Sequence, residues 1–105
     1  MKIVSIEESP RKNKRFRVFL DDGNYYDFGL LNGNTYIDHH DKAKRDAYRA
    51  RHMNSQYERP LINNLVPSPA LFSMVLLWGP STDLDKNIKL LNYLFNKKYF
   101  KNNLD

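Results

Sequence analysis

The sequence predicts an α+β fold, in which an N-terminal three-stranded antiparallel sheet is followed by three helices packed on one of its faces. Two observations carry this prediction. Apolar and polar residues alternate along residues 2–30, as they do in half-buried strands. Apolar residues recur at helical spacing in the last third of the chain. With 105 residues, the chain has the length of a single domain, 1–105.

Three alternating segments, residues 2–7, 15–20 and 25–30, predict the strands. Asp22-Gly23 lies between the second and the third segment and predicts a hairpin with a two-residue type I′ turn, whose central residues both need positive φ. In that register Leu20 lies opposite Tyr25. One face then carries Phe16, Val18, Leu20, Tyr25 and Asp27, and the other carries Arg15, Arg17, Phe19, Tyr26 and Phe28. We expect the first face to pack on the helices and the second to be a contact surface.

Capping residues place the starts of the three helices. Asp41 is expected to cap the first, which runs to about Met53. Ser68-Pro69 opens the second, which is apolar on all sides over residues 70–78 and is therefore predicted to be buried. Ser81 or Thr82 is expected to cap the third, and residues 54–66 are predicted to be irregular. A stripe at helical spacing marks the third helix: Leu84, Ile88, Leu91 and Phe95.

Composition excludes several classes of protein. The chain has no cysteine, which excludes disulfides and cysteine-ligated zinc. The longest uncharged stretch, residues 60–82, is interrupted by Pro67, Pro69 and Gly79, so we expect no membrane span. The net charge of +5 favours acidic partners, such as nucleic acid or an acidic protein surface.

The sequence offers little catalytic chemistry. Asp38-His39-His40-Asp41 could in principle ligate a divalent ion, but adjacent side chains point in different directions and rarely converge on one metal. There is no cysteine nucleophile, no Gly-x-Ser-x-Gly elbow and no glycine-rich phosphate loop. We therefore expect no enzyme activity, no metal, no cofactor and no small-molecule substrate.

A basic segment, residues 42–59, is the strongest candidate for a contact surface. It holds six basic residues against Asp46 and Glu58, and Tyr48 and Tyr57 are interleaved with them. Such a pattern is found in phosphate-binding surfaces, but more often in a solvated helix face whose tyrosines pack on the core. Trp78 is predicted to anchor the core. The candidate contact residues are Arg15, Arg17, Phe19, Tyr26, Lys44, Arg45, Tyr48, Arg49, Arg51 and His52.

A set of motifs adds a family resemblance. The chain carries Tyr36, His40-Asp41, Lys44-Arg45, Tyr48 and Arg51-His52, followed by Leu76-Leu77-Trp78, Pro80 and Ile88. In these residues it resembles small uncharacterised proteins of nucleocytoplasmic large DNA viruses, the giant viruses of amoebae and algae. It departs from their pattern at Ser73-Met74-Val75, where an arginine is frequent, and at Gly79, where asparagine is common. The resemblance implies a viral origin and a place in the virion or in the viral factory of the host cytoplasm.

Three functions follow from these observations. The first is a non-enzymatic virion component, such as a minor capsid protein, that binds neighbouring virion proteins through its basic and aromatic surface. The alternative is a protein that binds DNA or RNA with helix 42–59 and with the strand face that carries Arg15 and Arg17. The third is an adaptor that binds a host protein.

Overall fold

The structure is a computed structural model that describes the backbone of residues 1–104 and the side chains of residues 1–98. Strands β1 (Ile3–Glu8), β2 (Lys14–Leu20) and β3 (Tyr25–Leu30) form an antiparallel sheet in the order β1-β2-β3. Helices then follow, which confirms the predicted α+β fold. They are α1 (Tyr36–His39), α2 (Lys42–Met53), α3 (Glu58–Asn63), α4 (Pro69–Phe72), which continues as a π-helical turn (Ser73–Leu77), and α5 (Leu84–Leu104).

Two short helices, α1 and α3, were not among the three predicted helices. The prediction that residues 54–66 are irregular is therefore wrong. The Ser55 hydroxyl accepts the backbone N–H of Glu58 at 3.2 Å, which supplies a partner for a free donor at the start of α3. The last helix is capped by Asp83, whose carboxylate accepts the N–H of Asp85 at 2.9 Å, rather than by Ser81 or Thr82.

The other two predicted caps are confirmed. The Asp41 carboxylate accepts the N–H groups of Ala43 and Lys44 at 3.0 and 3.2 Å, so α2 begins directly after it. The Ser68 hydroxyl accepts the N–H of Leu71 at 3.2 Å, and Pro69 occupies the first turn of α4. The segment that follows is buried as predicted, because it lies between the sheet and α5.

The register of the β2–β3 hairpin differs from the prediction by one residue. Phe19, not Leu20, lies opposite Tyr25, and Val18 lies opposite Tyr26. The two-residue turn fails because only Gly23 has positive φ, 87°, whereas Asp22 does not. The Asp22 carboxylate instead accepts the N–H of Asn24 at 2.9 Å, which closes a longer loop.

A shift of one residue moves every side chain of β3 to the opposite face. Tyr26 and Phe28, which were predicted to lie on the contact face, lie on the core face, where the Tyr26 ring is 5.6 Å from the Phe72 ring. Tyr25 and Asp27, which were predicted to face the helices, instead lie beside Arg17 on the outer face. The prediction that Tyr26 belongs to an exposed contact surface is therefore wrong.

The core forms between the inner face of the sheet, the α4 and π-helical segment, and α5. Phe28 is fully buried, and its ring lies 5.8 Å from the ring of Phe72. The predicted stripe of α5 is confirmed, since Leu91 and Phe95 are buried in this core and Leu84 and Ile88 pack against it. Within the described part of the chain, no helix has both the length and the apolar composition that a bilayer crossing requires.

One buried amide holds the end of the π-helical turn. Asn87 of α5 is 0% exposed and donates to the carbonyl groups of Leu76 and Ser81 at 3.1 and 2.8 Å. Its Oδ1 accepts the N–H of Ser81 at 3.1 Å. Gly79 lies beneath it, and a Cβ atom there would stand 2.0 Å from the Val75 carbonyl oxygen. The backbone therefore turns here only around a glycine.

The substitution Asn87→Ala tests this amide. It leaves a buried N–H and two carbonyl groups without partners, so we expect the free energy of unfolding to fall by about 2–4 kcal/mol. Urea unfolding followed by circular dichroism measures the change. The matched control is Asn96→Ala, an exposed position of the same helix, which should change stability by less than about 0.5 kcal/mol. Equal effects of the two substitutions would contradict the role assigned to Asn87.

Candidate binding cleft

Arg15 is held by an ion pair with α1. Its two terminal nitrogens donate to the two oxygens of Asp38 at 2.6 and 2.7 Å. The same carboxylate accepts the backbone N–H and the hydroxyl of Thr35 at 2.9 and 2.8 Å. The Arg15 guanidinium and the Thr35 donors hold the pKa of Asp38 well below its usual range. Arg15 thus joins β2 to the start of α1.

Arg17 has a comparable arrangement on the outer face of the sheet. Its guanidinium donates to both oxygens of the buried Asp27, at 2.9 and 3.1 Å, and lies 4.0 Å from the centre of the Tyr25 ring. Ser9 adds a third donor to Asp27 at 2.6 Å. The hydrogen bond from Arg17 lowers the pKa of Asp27. Phe19 lies on the same face, with its ring 6.0 Å from that of Tyr25.

The arginines of α2 are partly engaged as well. Arg45 pairs with Asp46 at 2.9 Å and lies over the Tyr36 ring. Arg49 donates to the carbonyl oxygen of Trp78 at 2.9 Å, and burial lowers the pKa of its guanidinium. Arg49 therefore stabilises the end of the π-helical turn, whereas Lys44 is exposed on the same helix.

An aromatic column stands beside the π-helical turn. The Trp78 indole stacks on the Tyr48 ring with centroids 4.2 Å apart and planes 6° apart. The His52 ring centre lies 4.0 Å from that of Tyr48, and His52 Nδ1 lies 2.5 Å from a carboxylate oxygen of Glu58. Burial raises the pKa of the Tyr48 hydroxyl to about 12. The column ties α2 to the core on one side and to α3 on the other.

A cleft of about 470 Å³ opens next to this column; we call it the Trp78 cleft. Its volume falls in the range of ligand-binding pockets in proteins. Apolar and aromatic groups from the sheet, α2 and the π-helical segment form much of its wall, together with two glycines and several polar groups. The lining includes Lys14, Leu30, Tyr48, Arg51, Ala70 and Trp78.

Large apolar side chains are exposed at or next to residues that line the Trp78 cleft. Leu30, at the end of β3, lines the cleft and is 72% exposed, and Leu31 follows it at 56%. Tyr57 is 78% exposed and directly precedes Glu58 of the lining. Single exposed apolar residues are common on soluble proteins, so these exposures matter here only because they adjoin a cleft.

Two cations line the Trp78 cleft, one from each wall. Lys14 belongs to β2, where it pairs with Leu30, and Arg51 belongs to α2, where its guanidinium lies 5.7 Å from the Tyr48 ring centre. Within the described side chains, neither takes part in an ion pair. Glu58, the carboxylate of the lining, already contacts His52. The lining therefore holds two cations against one carboxylate, an excess of positive charge.

The segment Asp38-His39-His40-Asp41 does not form a metal site in the structure. Asp38 binds Arg15, and Asp41 caps α2. The His39 ring packs 5.4 Å from Trp78, and its Nδ1 accepts the N–H of Asp41 at 2.8 Å. His40 ends α1 with positive φ, 58°. Within the described residues, no group of three or more histidine and acidic side chains is arranged to hold a metal ion.

The structure thus divides the ten candidate contact residues. It brings Tyr48, Arg51 and His52 together in the Trp78 cleft. Tyr26 lies on the core face, and the remaining six lie elsewhere on the surface or in internal contacts: Arg15, Arg17, Phe19, Lys44, Arg45 and Arg49. Trp78 packs against the core as predicted and also lines the cleft. Lys14 belongs to the basic stretch 11–15, which the sequence offers as a partner of the basic helix in a phosphate-binding surface. Leu30 was missed, because nothing in its local sequence shows that the end of the hairpin lines the same cleft as α2.

Comparison with known proteins bears on the first half of the chain. Residues 4–52 match the model of DUF5754, a family of unknown function. The match covers most of the sheet, α1 and nearly all of α2, and so includes Arg15, Asp38, Tyr48 and Arg51. Neither the search of curated proteins nor the search of solved structures found a match. The DUF5754 match says nothing about a viral source.

The Arg15–Asp38 pair, inside the DUF5754 match, predicts a pH dependence of stability. A carboxyl whose pKa is lowered by folding stabilises the protein above its unfolded pKa of about 3.9, and this contribution is lost as the pH falls below that value. We expect Asp38→Asn to lower the free energy of unfolding by about 1 kcal/mol at pH 7, and the difference from the unsubstituted protein to shrink at pH 3. Urea unfolding at both pH values measures it.

Asp46→Asn is the control for this measurement. Asp46 forms an exposed ion pair with Arg45. We expect its loss to lower the free energy of unfolding by less than about 0.5 kcal/mol. A difference for Asp38→Asn that stays the same at pH 7 and pH 3 would show that the charge of Asp38 does not stabilise the fold.

The stacking of Tyr48 on Trp78 predicts how the fluorescence emission of Trp78 responds to a substitution. Trp78 is the single tryptophan of the chain, so its fluorescence reports on the cleft alone. Tyr48→Ala uncovers one face of the indole, and we expect the emission to shift to longer wavelength and stability to fall by about 2–4 kcal/mol. Tyr57→Ala, at an exposed position, should change neither. An unchanged Trp78 emission in Tyr48→Ala would contradict the stacked arrangement.

Proposed function

We propose that this chain is a non-enzymatic protein-binding molecule, and that the Trp78 cleft receives a segment of its partner. The observation that carries the proposal is a cleft walled by Tyr48 and Trp78 whose lining includes the exposed Leu30. Leu31 and Tyr57, which adjoin lining residues in the sequence, are exposed as well. Aromatic side chains beside an arginine are the groups that contribute most to protein interfaces. Arg51 supplies that arginine here.

The narrower proposal is that the chain is a minor capsid protein or another virion-associated component, acting in the virion or the viral factory. Its support is the resemblance of the α2 motif and of Leu76-Leu77-Trp78 to small proteins of nucleocytoplasmic large DNA viruses. Three of the motif residues, Tyr48, Arg51 and Trp78, are among those that line the cleft, so the resemblance overlaps with the proposed contact surface. Mass spectrometry of purified particles tests this proposal, and absence of the chain from them would end it.

Nucleic-acid binding is the second candidate. The observation in its favour is that Lys42, Lys44 and Arg51 are exposed on α2. Against it, Arg15 and Arg17 are each held by a carboxylate, and Arg49 is held by backbone carbonyl groups. A phosphate would have to compete with those partners. A gel-shift titration at two salt concentrations separates the candidates, because phosphate binding weakens steeply with salt.

Selection of peptides tests the protein-binding proposal. A phage-displayed library of random peptides is selected on the folded chain, and the enriched peptides are then measured by Trp78 fluorescence. The double variant Leu30→Asp, Tyr57→Asp, called the rim variant, changes two exposed positions, so it should fold. Leu30 lines the cleft and Tyr57 precedes Glu58 of the lining. We expect its affinity for the peptides to fall at least about tenfold, the equivalent of about 1.4 kcal/mol, because these apolar positions become negatively charged.

Tyr93→Asp is the matched control, since Tyr93 is an equally large exposed aromatic residue on α5, outside the Trp78 cleft. It should leave the affinity unchanged. Failure to enrich any peptide would contradict the proposal, and so would an equal loss of affinity in the rim variant and the control.

A further inference from the structure

We infer that the segment received by the Trp78 cleft is an acidic peptide, in which an apolar anchor side chain is followed or preceded by a carboxylate. This inference rests on the proposed function and names the chemistry of the partner. It is carried by two features of the same cleft: an apolar wall of suitable size, and two cations, Lys14 and Arg51, that take part in no ion pair among the described side chains.

The wall provides the anchor site. Pro69, Ala70 and Leu77 line it together with the Trp78 ring, and the volume of about 470 Å³ exceeds what a single buried water would need. An apolar side chain that enters removes its own surface and that of the wall from water, at a gain of roughly 25 cal/mol per Å². The anchor therefore supplies affinity without regard to the charge of the peptide.

The cations provide selectivity. Lys14 reaches the cleft from the sheet and Arg51 from α2, so a carboxylate beside the anchor would meet positive charge from both walls. The planar guanidinium of arginine can donate two parallel hydrogen bonds to a carboxylate. Within the described lining, the only carboxylate is that of Glu58, and His52 already contacts it at 2.5 Å.

The placement of the cations favours a carboxylate over a phosphate group. A phosphate carries nearly twice the charge of a carboxylate, so its attraction to Lys14 and Arg51 and its repulsion from Glu58 both grow, and charge alone does not separate the two groups. Each cation comes from a different wall, whereas phosphate sites commonly combine several arginines or backbone N–H groups on one side. The separation of the two cations on different elements therefore fits the carboxylate of an acidic peptide better than the phosphate of a phosphopeptide.

The experiment compares enriched peptides with their neutral and basic versions. Each peptide is synthesised with its acidic residues intact, with Glu and Asp changed to Gln and Asn, and with the same positions changed to Lys. Titrations followed by Trp78 fluorescence give the affinities. For the unsubstituted protein, we expect the carboxamide version to bind about tenfold more weakly than the acidic one and the lysine version more weakly still.

Two substitutions, Arg51→Gln and Lys14→Gln, test whether these cations cause the preference for acidic peptides. We expect either substitution to weaken the acidic peptide severalfold and to reduce the difference between acidic and carboxamide peptides, as in a double-mutant cycle. Arg11→Gln, an exposed arginine that does not line the cleft, should leave that difference unchanged. All three positions are at the surface or on the cleft rim, and thermal unfolding confirms that each variant is folded.

The outcomes distinguish this inference from the proposal on which it rests. If no peptide is enriched, both are overturned. If peptides are enriched but are basic or uncharged, the cleft binds protein and this inference alone is overturned. It is also overturned if acidic and carboxamide peptides bind equally well, or if Arg11→Gln acts as strongly as Arg51→Gln.

Discussion

The contact between Trp78 and Tyr48 is the interaction on which the candidate site depends. It places α2 against the end of the π-helical turn, and Arg49 reinforces it by donating to the Trp78 carbonyl oxygen. The turn itself is set by Gly79 and by the buried amide of Asn87. Local π-helical geometry is uncommon and often occurs at functional sites. Here it presents the indole at a cleft while the preceding residues fill the core.

The fold also decides which charges remain for binding. The Arg15–Asp38 pair joins β2 to α1, and the Arg17–Asp27 pair joins β2 to β3 on the outer face of the sheet. These arginines therefore act mainly in stabilising the fold. A net charge of +5 therefore does not produce one continuous basic stripe along the predicted residues. Lys14 and Arg51, which take part in no ion pair among the described side chains, lie in the Trp78 cleft among apolar side chains. One ligand could therefore contact both the apolar wall and the cations.

The sequence was informative where structure depends on neighbours along the chain. Caps at Asp41 and Ser68 and the stripe along α5 were predictable, because each follows from local hydrogen bonding or helical spacing. The β3 faces were not, because the register depends on one loop residue near Gly23. The cleft was predictable only in part: α2 marked Tyr48 and Arg51, but its other wall comes from residues distant in sequence, which meet only in the folded chain.

The most direct test of this account is nuclear magnetic resonance with the ¹⁵N-labelled chain and a selected peptide. The account predicts the largest shift changes at the Trp78 indole N–H and at the backbone amides of Leu30, Ser73 and Arg51, which line the cleft. The outer sheet face around Arg17 should be nearly unaffected. Largest changes on that face, with an unchanged Trp78 indole signal, would contradict it.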